Sequence, residues 1–375
     1  GAQIVSASFE RLEQADDLTL AVDIAGDGRF VLVQTRARNL YADGDADPSG
    51  EYRVGGIFRF DRQTGALHLV ANGDRRRRSD DALLYRGAQN GSTSRDGRYV
   101  VFATGEPLVP TDTNDNVDIY VRDMTVARGA PGAFDLVSPR DGGDVPARYA
   151  PPPEEQDFPG RNPGADVSPR AAISSDGRRV AFRTTAASDL PARIEPDAGA
   201  FQVFVRDRTA DTTRLVTRDK DSGDPAGGAL GPAGISGDGT TVVWTGRNAP
   251  AQTRFLDGEG QNPATEQYLW QRIAEGAGAP TRRITGFVDP DDPACPPDAV
   301  VEESVTATGP CYGPLAPGAP PGGLLGQLPA LSEDGYRVAF LHDANPRGAQ
   351  GGGIANDATA TVTASNTIIA ANAAQ

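Results

Sequence analysis

Lysine is almost missing from this chain. Lys220 is its single occurrence, and the rest of the positive charge is arginine. With 36 basic and 51 acidic residues the formal net charge is −15, so a phosphate backbone would be repelled, which excludes general nucleic-acid binding. Histidine is nearly as scarce: only His68 and His342 occur, which rules out a zinc His/Cys cluster. A Ser-His-Asp triad would have to use one of those two, and the Gly-x-Ser-x-Gly elbow is absent. No run of about 20 apolar residues exists to cross a membrane. Cysteine appears twice, as Cys295 and Cys311 in one Pro- and Gly-rich stretch. The pair reads as two free thiols or as a disulfide closing a loop of about 16 residues, and the bridge is the expectation. It would contribute roughly 3 kcal/mol by the chain-entropy estimate and would fit an exported protein. The sequence starts at Gly1 with no charged-then-apolar leader, as expected if a signal peptide has been removed or the start trimmed.

What the chain does have is turn residues. Its 45 glycines and 30 prolines fill long stretches between short apolar runs, the pattern of an all-β protein. At 375 residues a prior of roughly 150 per domain suggests two or three domains, but a repeat protein evades that prior. A repeat is present. One phrase occurs at Ile24–Val33, Thr93–Phe102, Ile173–Phe182, Ile235–Trp244 and Leu331–Phe340, each with an Asp-Gly pair ahead of a β-branched and aromatic run. Asp-Gly favours the positive φ of a tight hairpin turn, and the run suits a buried strand. A second phrase follows in four units, at Ile57–Arg62, Ile119–Asp123, Val203–Asp207 and Tyr268–Arg272. A last short run closes each, at Leu67–Val70, Phe134–Val137, Thr213–Val216 and Arg282–Thr285. Two strands about the Asp-Gly turn plus two more make a four-stranded antiparallel blade.

Ser-x-Asp-Gly-Arg-x-Val-x-Phe followed by Asp-x-Tyr-Val-Arg-Asp resembles the TolB-like propeller repeat of exported bacterial proteins. The resemblance covers residues 4 to about 345 and implies an all-β propeller of about five four-stranded blades, with a strand-forming tail over 346–375. It does not specify function, because this fold hosts binding modules, lyases and peptidase gates. Successive Asp-Gly turns lie 62 to 96 residues apart, against about 45 for a minimal blade. The surplus at 74–90, 140–169 and 294–327 could build a binding face.

The ends depart from the repeat. Residues 351–370 resemble one coil of a β-helix, which cannot bury its own face. The strand-like runs around Thr361, Val362, Ile368 and Ile369 therefore need a partner, as does the N-terminal run holding Ile4, Val5 and Phe9. They close the propeller within one chain, or they pair with a second copy and build a filament by strand addition.

Candidate chemistry is confined to acid-rich loops. Asp112, Asn114, Asn116 and Asp118 offer oxygens at alternate positions, as do Asp43, Asp45 and Asp47 one unit earlier. Hard oxygen donors so spaced suit Ca²⁺, the one cofactor expected; solvated turns are the alternative. The pattern weakens to Glu195 with Asp197 and Asp257 with Glu259. The basic run Arg75–Arg78 reads as a solvated loop offset by Asp80 and Asp81. Phe102, Phe182, Trp244 and Phe340 share one repeat position and read as packing between blades. The expected function is a non-catalytic extracellular module that binds a protein or itself; the alternative is a polysaccharide lyase or hydrolase with a carboxylate- or calcium-lined mouth.

Overall fold

The structure is a computed structural model that describes residues 15–40, 51–77, 83–84, 87–113, 117–138, 171–184, 202–218, 229–247, 267–273, 281–283, 329–335 and 338–339. Every element among them is a strand. The first sheet holds β1 (Thr19–Ile24), β2 (Phe30–Thr35), β3 (Glu51–Asp61), β4 (Leu67–Arg77) and β5 (Leu83–Leu84). The second holds β6 (Gln89–Thr93), β7 (Tyr99–Thr104), β8 (Asp118–Asp123) and β9 (Phe134–Leu136). The third runs β10 (Ala171–Ile173), β11 (Arg179–Thr184), β12 (Gln202–Asp207) and β13 (Thr212–Leu215). The fourth runs β14 (Ala229–Ile235), β15 (Thr241–Arg247), β16 (Gln267–Ile273) and β17 (Thr281–Arg283), and β18 (Ala330–Leu331) pairs with β19 (Val338–Ala339). All pairings are antiparallel between chain neighbours, so each sheet is a meander. The expected four-stranded unit is present three times, and the first sheet gains a fifth strand.

These runs are strands because both of their faces are covered. β8 is buried at every residue and β7 at all but its first. A continuous apolar run, rather than an alternating one, is what a sheet packed on two sides requires. One apolar cluster joins Leu32, Ile57 and Val70 of the first sheet to Val100, Phe102 and Tyr120 of the second. Another joins Val101, Ile119 and Val121 to Ile173, Phe182 and Phe204 of the third. The first strands, β1, β6, β10, β14 and β18, adjoin in series along the inner edge of the stack. The fold is a β-propeller. Phe102, Phe182 and Trp244 are fully buried, as expected of interblade packing; Phe102 stacks on its cross-strand partner Tyr120, ring centroids 6.3 Å apart, and Phe182 on Phe204 at 5.9 Å.

The Asp-Gly turns differ from a tight two-residue hairpin. Ser94 N–H donates to Tyr99 O at 2.9 Å and Gly97 N–H to Ser94 O at 3.0 Å, so four residues form the loop. The Asp96 carboxylate accepts from Ser94 Oγ at 2.7 Å and from Arg98 N–H at 2.9 Å. Those side-chain bonds hold the turn, and only glycine takes positive φ: 73°, 69°, 72°, 72° and 73° at Gly28, Gly97, Gly177, Gly239 and Gly335. A Cβ on Gly97 would come within 2.3 Å of the Phe30 ring, and one on Gly177 within 2.1 Å of the Tyr99 ring. Each turn is therefore seated on the previous blade.

The basic run corrects a second expectation. Arg75–Arg77 lie in β4, paired with β3 and β5, not in a loop. Arginine carries little strand signal of its own, and the pairing is set by the strand opposite. Meander topology also makes the two ends of the stack unequal. The turns 25–29, 62–66, 94–98, 124–133, 174–178, 208–211 and 236–240 lie at one end. The connections 36–50, 105–117, 137–170, 185–201, 216–228, 248–266 and 284–329 are anchored at the other. Cys295, Cys311, the N-terminal run and the 346–375 tail lie outside the described residues.

Gly177→Ala is expected to cost about 2–4 kcal/mol, combining a left-handed backbone with a clash against Tyr99. Gly132→Ala, at φ 80° with nothing within 4 Å of its Cβ, should cost about 1 kcal/mol. Urea midpoints of the two variants check this, and equal midpoints would remove the packing role.

Candidate functional site

At the turn end, one position of each Asp-Gly turn is brought to a common line. It is occupied in order by Gly26, Arg95, Ser175, Gly237 and Glu333. Backbone bonds join the turns: Asp27 N–H to Arg95 O at 3.4 Å, Arg95 N–H to Ser175 O at 3.0 Å and Ser175 N–H to Gly237 O at 2.7 Å. Gly237 N–H then donates to Ser332 O at 3.4 Å, and Asp238 N–H to Glu333 O at 2.8 Å. Over this belt the Glu333 carboxylate accepts from Ser175 Oγ at 2.6 Å and lies 3.4 Å from Arg95 Nη1. Glycine at 237 makes that reach possible, because a Cβ there would lie 2.2 Å from Glu333 Oε2 and 2.6 Å from Ser175 Oγ. The Arg95 and Glu333 side chains are 61% and 53% exposed, so their ion pair sets geometry more than stability. Sequence reasoning missed this cluster. Its only signal was that two of the five variable turn positions are glycine.

A second set of charges holds strands within each blade. Arg29 Nε and Nη2 donate to Asp61 at 3.1 and 2.7 Å, and Arg98 makes the same fork on Asp123 at 3.1 and 2.8 Å. Arg178 repeats it on Asp207 at 2.9 and 2.8 Å. In the fourth blade the equivalent positions, fixed by register, are Thr240 and Ile273, so both partners are replaced together. The Arg29 guanidinium holds the Asp61 carboxyl far below the usual range. At Asp123 and Asp207 burial pushes upward, but the bonds from Arg98 and Thr125, and from Arg178 and the Ala210 N–H, outweigh it; Asp207 settles at about 2. The neighbouring rings carry cations as well. Phe30 has Arg29 and Arg59 at 4.7 and 4.2 Å from its centroid, and Tyr99 has Arg98 and Arg208 at 4.7 and 4.9 Å. Arg59 and Arg208 go on to donate to Gly97 O and Gly177 O, each at 2.6 Å. One acid runs the other way: Asp23, at a bulge in β1, accepts from Thr93 N–H at 2.8 Å and Ser92 Oγ at 3.0 Å, and burial pushes its pKa up.

Two of the predicted metal ligands fall among the described residues, and both have work inside the fold. Asp112 accepts the hydroxyl of buried Tyr120, and Asp118 accepts Ser138 Oγ at 2.7 Å, whose oxygen in turn accepts Ile119 N–H at 3.1 Å. Gln202 and Thr217 repeat the Asp118–Ser138 arrangement one blade on, with Thr217 Oγ1 accepting Val203 N–H at 3.0 Å. Asn114, Asn116, Asp43, Asp45 and Asp47 lie outside the described residues, as does His342. Among the described residues no group of three His, Cys, Asp or Glu side chains could hold a metal ion. His68 is an exposed residue of β4 opposite Arg59.

No protein-family model matches the chain, and no curated protein matches it. Among solved structures, TolB from Acinetobacter baumannii is similar at 14% identity over 72% of this chain and 57% of that one, with a TM-score of 0.27. A putative TolB from Agrobacterium tumefaciens is similar at 14% identity over 72% and 81%, TM-score 0.32. The β-propeller domain of the Trilobed protease from Pyrococcus furiosus is similar at 10% identity over 72% and 59%, TM-score 0.35. The chain spans less than two thirds of the A. baumannii and P. furiosus chains. The propeller fold itself rests on the stacked sheets described above.

The depressed carboxyls predict an acid limb. A lowered folded pKa contributes stability above the unfolded value near 3.8 and loses it as pH falls toward about 2. Thermal melting should therefore fall steeply between about pH 4 and pH 2. Asp23, shifted upward, takes its proton at higher pH and lies outside this limb. The triple variant Arg29→Gln, Arg98→Gln, Arg178→Gln should melt lower at neutral pH and show a shallower acid limb; parallel limbs would refute the assignment.

Proposed function

We propose that this chain is an exported, non-catalytic propeller that binds a protein partner at the end where its long connections are anchored. The inequality of the two ends supports this reading. At the turn end the Asp-Gly loops are short and their polar groups are bonded to one another. At the other end the connections run to 13 residues or more between sheets whose described middle strands are buried, the arrangement by which scaffolds commonly carry recognition. Calcium held by Asp112, Asn114, Asn116 and Asp118, and by Asp43, Asp45 and Asp47, would brace those connections.

Two measurements test the proposal. A photo-activated cross-linker placed at Glu302, in one of the long connections, should give a discrete protein adduct in the producing cells, whereas one at Thr64, in a short turn, should not. Equal adducts from both positions, or release of fragments from a polysaccharide by the pure protein, would overturn the reading. For calcium, a ligand that binds only the folded form adds about 2.7 kcal/mol at a hundredfold excess over its dissociation constant. Chelator should therefore lower the melting temperature, and superimposable melts with chelator and with calcium would remove the ion.

A further inference from the structure

Of the five turn positions that converge at the inner edge, two are glycine, and the side chains of the other three meet above them. Arg95 runs back over Gly26: a Cβ on Gly26 would lie 2.7 Å from Arg95 Cγ and 3.4 Å from Arg95 Cβ. Its guanidinium ends 3.4 Å from the Glu333 carboxylate. Glu333 passes over Gly237 and accepts from Ser175 Oγ. A single side chain, that of Arg95, therefore touches both the first turn and the last. Among the described residues, the backbone bonds of the belt run from each turn to the next in chain order. The side chains are what carry the last turn back toward the start of the chain.

The charges around them make the pair distinctive. Each turn carries an exposed aspartate, at Asp27, Asp96, Asp176, Asp238 and Asp334, and Arg95 is the one cation at the five variable positions. We infer that Arg95 and Glu333 form an ionic latch that holds the last turn against the first two and opens as ionic strength rises. An ion pair this exposed is screened by salt and adds little to the stability of the whole protein. Opening one edge takes far less free energy than unfolding the molecule, so a weak pair is enough to set how often the inner edge parts. The latch lies at the turn end, away from the proposed binding face, and does not depend on that reading.

Amide hydrogen exchange of the full chain tests it, each variant being read at a turn other than its own. Glu333→Gln keeps an oxygen for Ser175 but removes the charge. It should speed exchange of the Asp27 N–H, which is bonded to Arg95 O in the second turn, by about threefold, the size an exposed pair allows. Arg95→Gln should do the same at the Asp238 N–H, bonded to Glu333 O. Gly237→Ala keeps both charges but puts a Cβ where Glu333 passes, and it should match Glu333→Gln. In the parent, about 1 M salt should bring the Asp27 amide to the variant rate, since the screening length is then about 3 Å. The Ser174 N–H, bonded within its own turn to Arg179 O, is the reference, and Arg214→Gln, on β13, is the control. Melting temperatures near the parent's establish that the variants are folded. If repulsion among the turn aspartates ruled the edge instead, Glu333→Gln and salt would both slow exchange, and the inference would fall. Unchanged exchange at Asp27 in Glu333→Gln, an effect confined to the substituted turn, or an equal rise in Arg214→Gln would each overturn it as well.

Discussion

There is no room for a side chain at Gly97, Gly177, Gly239 or Gly335, and the remainder of the stack is spaced by that fact. An added Cβ would come within 2.9 Å or less of Phe30, Tyr99, Arg179 or Thr241 of the preceding blade. All four glycines also take a left-handed backbone, so the residue is required twice over at one place. With each turn seated against its predecessor, the next turn's amide comes within bonding distance, and the inner strands follow in series. The aromatic pairs Phe102–Tyr120 and Phe182–Phe204 then fall in register within their sheets, where both faces are covered. Interior packing density leaves little tolerance for a shift at the turn.

The forked Arg–Asp pairs show how the repeat is held between its strands. Each joins the residue after the turn glycine to the end of the third strand, and each carboxylate also accepts backbone N–H groups of the turn that follows. Removing the arginine would leave a largely covered carboxylate without its cation, since the Asp side chains are only 6–13% exposed against 37–44% for their partners. Replacement of both in the fourth blade, by Thr240 and Ile273, is the substitution that avoids this penalty. The cation on the Phe30 and Tyr99 rings extends the same economy, since Arg59 and Arg208 pack on a ring and satisfy a turn carbonyl at once.

The blade pattern was legible in the sequence because it is local. The phrase at Thr93–Phe102 contains its own turn and strand, and the phrases at Ile119–Asp123 and Phe134–Val137 follow within one blade. What was illegible depends on partners distant in the chain. Arg75–Arg77 looked like a solvated loop because β3, not their own composition, makes them a strand. The bonds that Asp112 and Asp118 make to Tyr120 and Ser138 could not be read from the spacing that suggests a cation, since Ser138 lies 20 residues further along the chain. Asp-Gly suggested a two-residue hairpin, whereas the serine and aspartate side chains build a wider loop and leave positive φ to glycine alone. The meeting of Arg95, Ser175 and Glu333 needs three turns in space, and no single turn hints at it.

Stacked repeats usually communicate only with the repeat on either side, so their unfolding reads as a one-dimensional chain of neighbour terms. Glu333 breaks that rule. Its carboxylate, carried by the turn that follows β18, reaches over Gly237 to the third blade and on to Arg95 of the second. Opening of the last sheet would thereby remove a contact made three blades away, so the turns are aligned across blades that are not chain neighbours as well as between those that are. Three side chains at the inner edge thus give an array of small units a common alignment that nearest-neighbour packing alone would not impose.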